Sequence, residues 1–146
     1  MDLDPGELVA LPAGTVLLRD ARRGREAEVR LEPFQIARTT AVPLGEDRPV
    51  HGVTWLDAID FCNDLSDAAG LEHAYAVEGR RVHWDLASGG FRLPTEAEWE
   101  YACRAGTTDA HYGQLADIAW TSRDDVEGVQ PVGLKQPNGF GLSDML

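Results

Sequence analysis

The chain has 146 residues, 43% of them hydrophobic and 26% charged, the balance of a folded globular chain and not of a disordered one. Its 25 Asp and Glu against 13 Lys and Arg leave a formal charge of −12, which argues against nonspecific nucleic-acid binding and against docking on an anionic membrane. No apolar run nears the ~20 residues that span a bilayer, so no membrane partner is expected. The opening Met1-Asp2-Leu3-Asp4-Pro5 lacks the basic and apolar regions of a secretory signal, which makes the cytoplasm the expected location. Cys62 and Cys103 suit a reducing compartment and make no disulfide framework.

In chain order, Leu8–Leu18 reads as strand, turn and strand around Pro12-Ala13-Gly14, and 19–25 as a basic turn. Residues 27–38 alternate in part (Val29, Leu31, Phe34, Ile36) and read as strand interrupted at Pro33. The Pro-, Gly- and charge-rich 39–52 reads as loop. Thr54, with Asp57 three positions on, caps a predicted helix over 55–68, its apolar face formed by Trp55, Ala58, Ile59, Cys62, Leu65 and Ala69; Gly70 closes it. Residues 75–77 and 82–84 flank Glu78-Gly79 and predict a short hairpin. Thr95 and Glu98 form a capping-box pattern opening a helix over 96–105, with Trp99, Ala102 and Cys103 on a buried stripe and Gly106 as its stop. Residues 106–146 predict mostly loop with short strands. The four tryptophans read as core anchors. One α+β domain over 1–146 is expected, with two helices, short strands and little other regular structure.

The run Phe91-Arg92-Leu93-Pro94-Thr95-Glu96-Ala97-Glu98-Trp99-Glu100-Tyr101-Ala102-Cys103-Arg104-Ala105 resembles the signature of the formylglycine-generating enzyme (sulfatase-modifying factor) family. Asp47-Arg48-Pro49-Val50, Gly52-Val53-Thr54-Trp55, residues 57–66, Gly133 and residues 137–145 are similar to further family blocks in the same order. The resemblance covers roughly 30–146 and implies a C-type-lectin-like fold. In the family a helix usually follows the stretch matching Phe34–Arg38, and here Thr39–Pro43 runs almost directly to Gly45. The family's Gly-Asn-Val-Trp-Glu-Trp run and its reactive cysteine pair lie beyond the block that ends near Leu146, so a C-terminally truncated, partial domain is expected.

For activity, the resemblance implies a copper-dependent oxidoreductase that converts a sulfatase-type peptide's cysteine to formylglycine. Copper(I) prefers soft thiolates held close together. Cys62 and Cys103 do not match the family's pair and read as packing groups, so no catalytic residue is assigned and copper is expected only in a longer relative. For metals, the acidic segment 117–127 resembles the family's structural calcium position, which implies Asp117, Ile118, Asp124 and Val126 as ligands through carboxylate and carbonyl oxygens. The four histidines show no metal-pair spacing, and no glycine-rich phosphate loop occurs. A non-catalytic C-type-lectin-like module that binds a peptide or other ligand is the alternative function.

Overall fold

A computed structural model describes residues 3–4, 6–20 and 22–146. Among them run, in order, β1 (Leu3–Asp4), β2 (Leu8–Leu11), β3 (Gly14–Asp20), β4 (Arg25–Leu31), β5 (Phe34–Ala37), β6 (Val42–Pro43), α1 (Trp55–Ala68), β7 (Tyr75–Glu78), β8 (Arg81–Trp84), α2 (Glu96–Arg104) and α3 (Leu115–Ile118). The strands pair as antiparallel ribbons: β1 with β6, β2 with β5, β3 with β4 and β7 with β8. The chain divides into two compact units, one formed by Val50–Leu93 and the other by the segments that flank it.

In the Val50–Leu93 unit, α1 opens with a complete capping box. The Thr54 hydroxyl accepts from Asp57 N, and Asp57 Oδ2 accepts from Thr54 N at 2.7 Å. The helix closes on a Schellman motif, with Leu71 N donating to Ser66 O and Gly70 N to Asp67 O, and Gly70 taking the left-handed φ of 68°. Its buried face is Ile59, Cys62 and Ser66, packed against Ala74 and Tyr75, with Val82, Phe91 and Leu93 around them. The β7–β8 ribbon turns at Gly79-Arg80, with φ 61° at Gly79, one residue beyond the predicted turn. Gly90 is required because a Cβ there would collide with the Glu72 carbonyl, and Ser66 Oγ would lie 2.9 Å away.

In the other unit, Leu11, Ala102, Cys103, Leu142 and Met145 form the core, lined by Val9, Phe34, Ile36, Tyr101, Tyr112 and Phe140. Helix α2 carries the second capping box, with Thr95 N donating to Glu98 Oε2 at 2.8 Å. It docks on β3 through Tyr101, whose ring occupies the space a side chain at Gly14 would need. Phe34 and Phe140 flank the Tyr101 ring, with centroids 6.3 and 5.4 Å away. Residues 15–20 of β3 alternate between outward and inward positions, whereas the 25–28 end of β4 is exposed on both faces.

The outlines of both helices and the ribbon positions agree with the sequence expectation, and several details differ. Strands β2 and β3 follow one another yet pair with β5 and β4, not with each other. The expected loop over 39–52 contains β6, and 106–146 contains the one-turn α3 and, among the described residues, no strand. The tryptophans do not anchor the cores. Trp55 is 58% exposed because the covered face of α1 begins one turn later, at Ile59, and Trp84, Trp99 and Trp120 are 36%, 41% and 39% exposed. The left-handed stop of α2 falls at Ala105, φ 46°, one residue before Gly106.

Candidate functional site

The acidic segment is built from two short turns and one lysine. In the first turn, α3 buries Ile118, and the Asp117 carbonyl accepts from Gln136 N at 2.9 Å. In the second, Asp124 folds back on Thr121: its Oδ2 accepts from both Thr121 N and Thr121 Oγ1 at 2.7 Å, and Asp124 N donates to Thr121 O. These bonds, together with Lys135, hold the Asp124 carboxyl below the usual carboxylate range, the Thr121 hydroxyl being the largest cause. Lys135 joins the turns, its ammonium lying 2.6 Å from the Ala116 carbonyl, 3.1 Å from Asp124 Oδ1 and 4.1 Å from the centre of the Trp120 ring.

The four residues implied as calcium ligands are therefore placed as follows. The Asp117 carbonyl bonds Gln136 and the Asp124 carboxylate bonds the adjacent Lys135, while the Asp117 carboxylate is exposed. The Ile118 carbonyl accepts a long 3.5 Å bond from the Tyr112 hydroxyl. Val126 is exposed and lines a surface cleft of about 490 Å³ with Trp120, Thr121, Pro131 and Asp144. Asp144 sits at a left-handed φ of 59° and accepts from Gly133 N at 2.7 Å. Among the described residues, no three His, Cys, Asp or Glu side chains converge as a metal cluster.

Both thiols belong to packed interiors. Cys62 faces the α1 core, and burial pushes its pKa up to about 11. Cys103 donates from Sγ to the Met145 carbonyl at 3.0 Å, and its pKa is raised by burial first and by Glu100 second, against an opposing effect of Arg104. Thiols in such surroundings stay protonated and are poor nucleophiles and poor metal ligands. Of the histidines, His73 pairs with Asp67 at 2.8 Å, and His51, His83 and His111 are exposed.

Sequence reasoning missed the residues that organise this unit. Asn138 is buried and uses its whole amide: Nδ2 donates to the Ala102 and Cys103 carbonyls, and Oδ1 accepts from Phe140 N and Leu142 N. Arg38 bonds Glu7 and the Gly141 carbonyl, while its own carbonyl accepts from Ser143 N. The Pro137-Asn138-Gly139 run was a visible turn signal. That the amide faces a helix end 35 residues earlier was not visible.

The fold is shared with two solved proteins. It superposes on the crystal structure of CarF with a TM-score of 0.73 at 24% identity, covering 97% of this chain and 77% of that one. On PvdO from Pseudomonas aeruginosa the TM-score is 0.71 at 21% identity, with coverages of 96% and 67%. These likenesses define an α+β chain of the same architecture. The family model of the sulfatase-modifying factor enzyme 1-like domain matches residues 40–146, and the chain belongs to that family. The formylglycine-generating enzyme of Mycobacterium tuberculosis is 33% identical over 165 aligned positions, which cover 99% of this chain and 46% of that protein. A chaperone protein LppX of Paenibacillus barcinonensis is 28% identical over 69% of this chain and 49% of its own length, and the Bos taurus formylglycine-generating enzyme is 30% identical over 68% and 25%. The chain spans about half the length of the first two relatives.

Proposed function

We propose that this chain is the scaffold portion of a formylglycine-generating-enzyme-type oxidoreductase acting on a sulfatase-type peptide, and that residues 1–146 do not themselves hold its redox centre. Family membership supports the reaction class. The observation that carries the second half is the state of the sulfur: the chain has two cysteines, both buried, with Cys62 at about 11 and Cys103 engaged with the Met145 carbonyl. Copper(I) chemistry of this kind needs accessible thiolates. The donor set here does not fit copper.

A non-catalytic binding module is the second reading, favoured by the open cleft beside the partly exposed Trp120 and the Asp144 carboxylate, in a chain of net charge −12. That lining suits a basic peptide. One experiment separates the readings: oxygen uptake by the purified chain supplied with copper and a sulfatase-type cysteine peptide, alongside fluorescence titration of a lysine-rich peptide without cysteine. The expected result is uptake equal to the peptide-free control. Peptide-dependent turnover would overturn the proposal, and saturable tryptophan quenching without turnover would favour the binding module.

A further inference from the structure

The resemblance that implies calcium at the acidic segment assigns Asp124 as a carboxylate ligand, and the structure gives that carboxylate another cation. We propose that the Lys135 ammonium is the resident cation of the 115–136 region, and that it closes these turns without calcium.

Both oxygens of the Asp124 carboxylate are already occupied. Calcium requires about six to eight oxygen ligands at roughly 2.3–2.6 Å. Asp124 Oδ2 already receives two donors from Thr121, both at 2.7 Å. Asp124 Oδ1 and the Ala116 carbonyl are bridged by Lys135 Nζ, at 3.1 and 2.6 Å. The Asp117 carbonyl accepts from Gln136 N at 2.9 Å, which fastens α3 to the same segment, while the Asp117 carboxylate is exposed. A calcium ion bound through the Asp124 carboxylate would have to expel the ammonium, break the Thr121 turn, or both.

The ammonium also performs the task of a structural ion, which is to gather oxygens from separate segments. It ties α3, the Thr121–Asp124 turn and the 135–136 segment at one point, and the Trp120 ring at 4.1 Å adds a cation–π contact. The Lys135 and Asp124 side chains are 12% and 16% exposed, so the pair is shielded more than a surface ion pair. A single positive charge neutralises the single carboxylate it touches. The remaining acids of the segment, Asp117, Asp125 and Glu127, are exposed.

The test is thermal melting of the wild-type chain and of Lys135→Met, Asp124→Asn and the double variant, each in millimolar calcium and in chelator. The wild-type midpoint should be the same in both buffers. Lys135→Met should melt several degrees lower, and the double variant should lose clearly less than the two single losses added. Calcium dependence that appears only in Lys135→Met counts for the proposal, because the freed carboxylate and carbonyl then become available to metal. A calcium-raised wild-type midpoint that Asp124→Asn abolishes would overturn it, as would a Lys135→Met chain melting like wild type. The wild-type comparison needs no variant, so it decides the matter even if Lys135→Met does not fold.

Discussion

Ser66 and Cys62 illustrate how single residues set the Val50–Leu93 core. Ser66 is fully buried, and its hydroxyl donates to the Cys62 carbonyl and accepts from Phe91 N, both at 2.8 Å, so burying it leaves no polar group unpaired. Cys62 beside it gains nothing from ionising. Its folded pKa of about 11 exceeds the ordinary 9.0, so above pH 9.0 the unfolded chain sheds the proton first and binds fewer protons than the folded one. Stability from this group is complete below pH 9.0 and declines as pH rises toward about 11, by up to about 2–3 kcal/mol in all. Urea titrations across that window should show a steeper loss in the wild type than in Cys62→Ala. Parallel slopes would show that the buried thiol contributes nothing to alkaline stability.

The two capping boxes were readable as sequence because each lies within four consecutive residues: Thr54 with Asp57, and Thr95 with Glu98. The stop of α2 was readable to within a residue, but not the partners of its last carbonyls. Its last four carbonyls are all satisfied: Tyr101 O by Ala105 N, Ala102 O and Cys103 O by the Asn138 amide, and Arg104 O by Thr107. Only one of these partners is a side chain from outside the local turn, and it arrives from 35 positions away. Asn138→Ala would leave two helix carbonyls and the N–H groups of Phe140 and Leu142 without that partner. The cost should be roughly 2–4 kcal/mol by chemical denaturation, because buried groups left unpaired lose their desolvation energy as well as the bond. Asn138→Asp keeps the two bonds accepted from N–H groups but turns its other carboxylate oxygen onto the Ala102 and Cys103 carbonyls at the negative end of α2, so it should be no more stable than Asn138→Ala. A variant as stable as wild type would show that water replaces the amide.

At the scale of the whole chain the dominant fact is charge. Acids outnumber bases to give −12, and the ion pairs among these charges are mostly exposed, such as Arg19–Glu26 and Arg38–Glu7 at 3.0 and 2.9 Å. Exposed pairs contribute little, whereas self-repulsion acts on the entire fold. Raising ionic strength from about 0.01 M to about 0.15 M shortens the screening length from roughly 30 Å to 8 Å. The melting midpoint should therefore rise by a few degrees in sodium chloride over that range. A fall would mean that the local pairs outweigh the global repulsion.

Family, α+β class, both helices and the β7–β8 ribbon follow from contiguous residues, since caps, turns and periodicity are properties of neighbours along the chain. The tertiary structure decided three other things: which strands pair, which tryptophans stay uncovered, and which side chain Asp124 pairs with. These depend on groups brought together across long separations, as Leu11 meets Leu142 in one core and Lys135 meets both Ala116 and Asp124. An acidic loop has the same composition whether its charge is met by a metal or by an ammonium from the same chain. Only the fold brings the Lys135 ammonium to 3.1 Å from the Asp124 carboxylate.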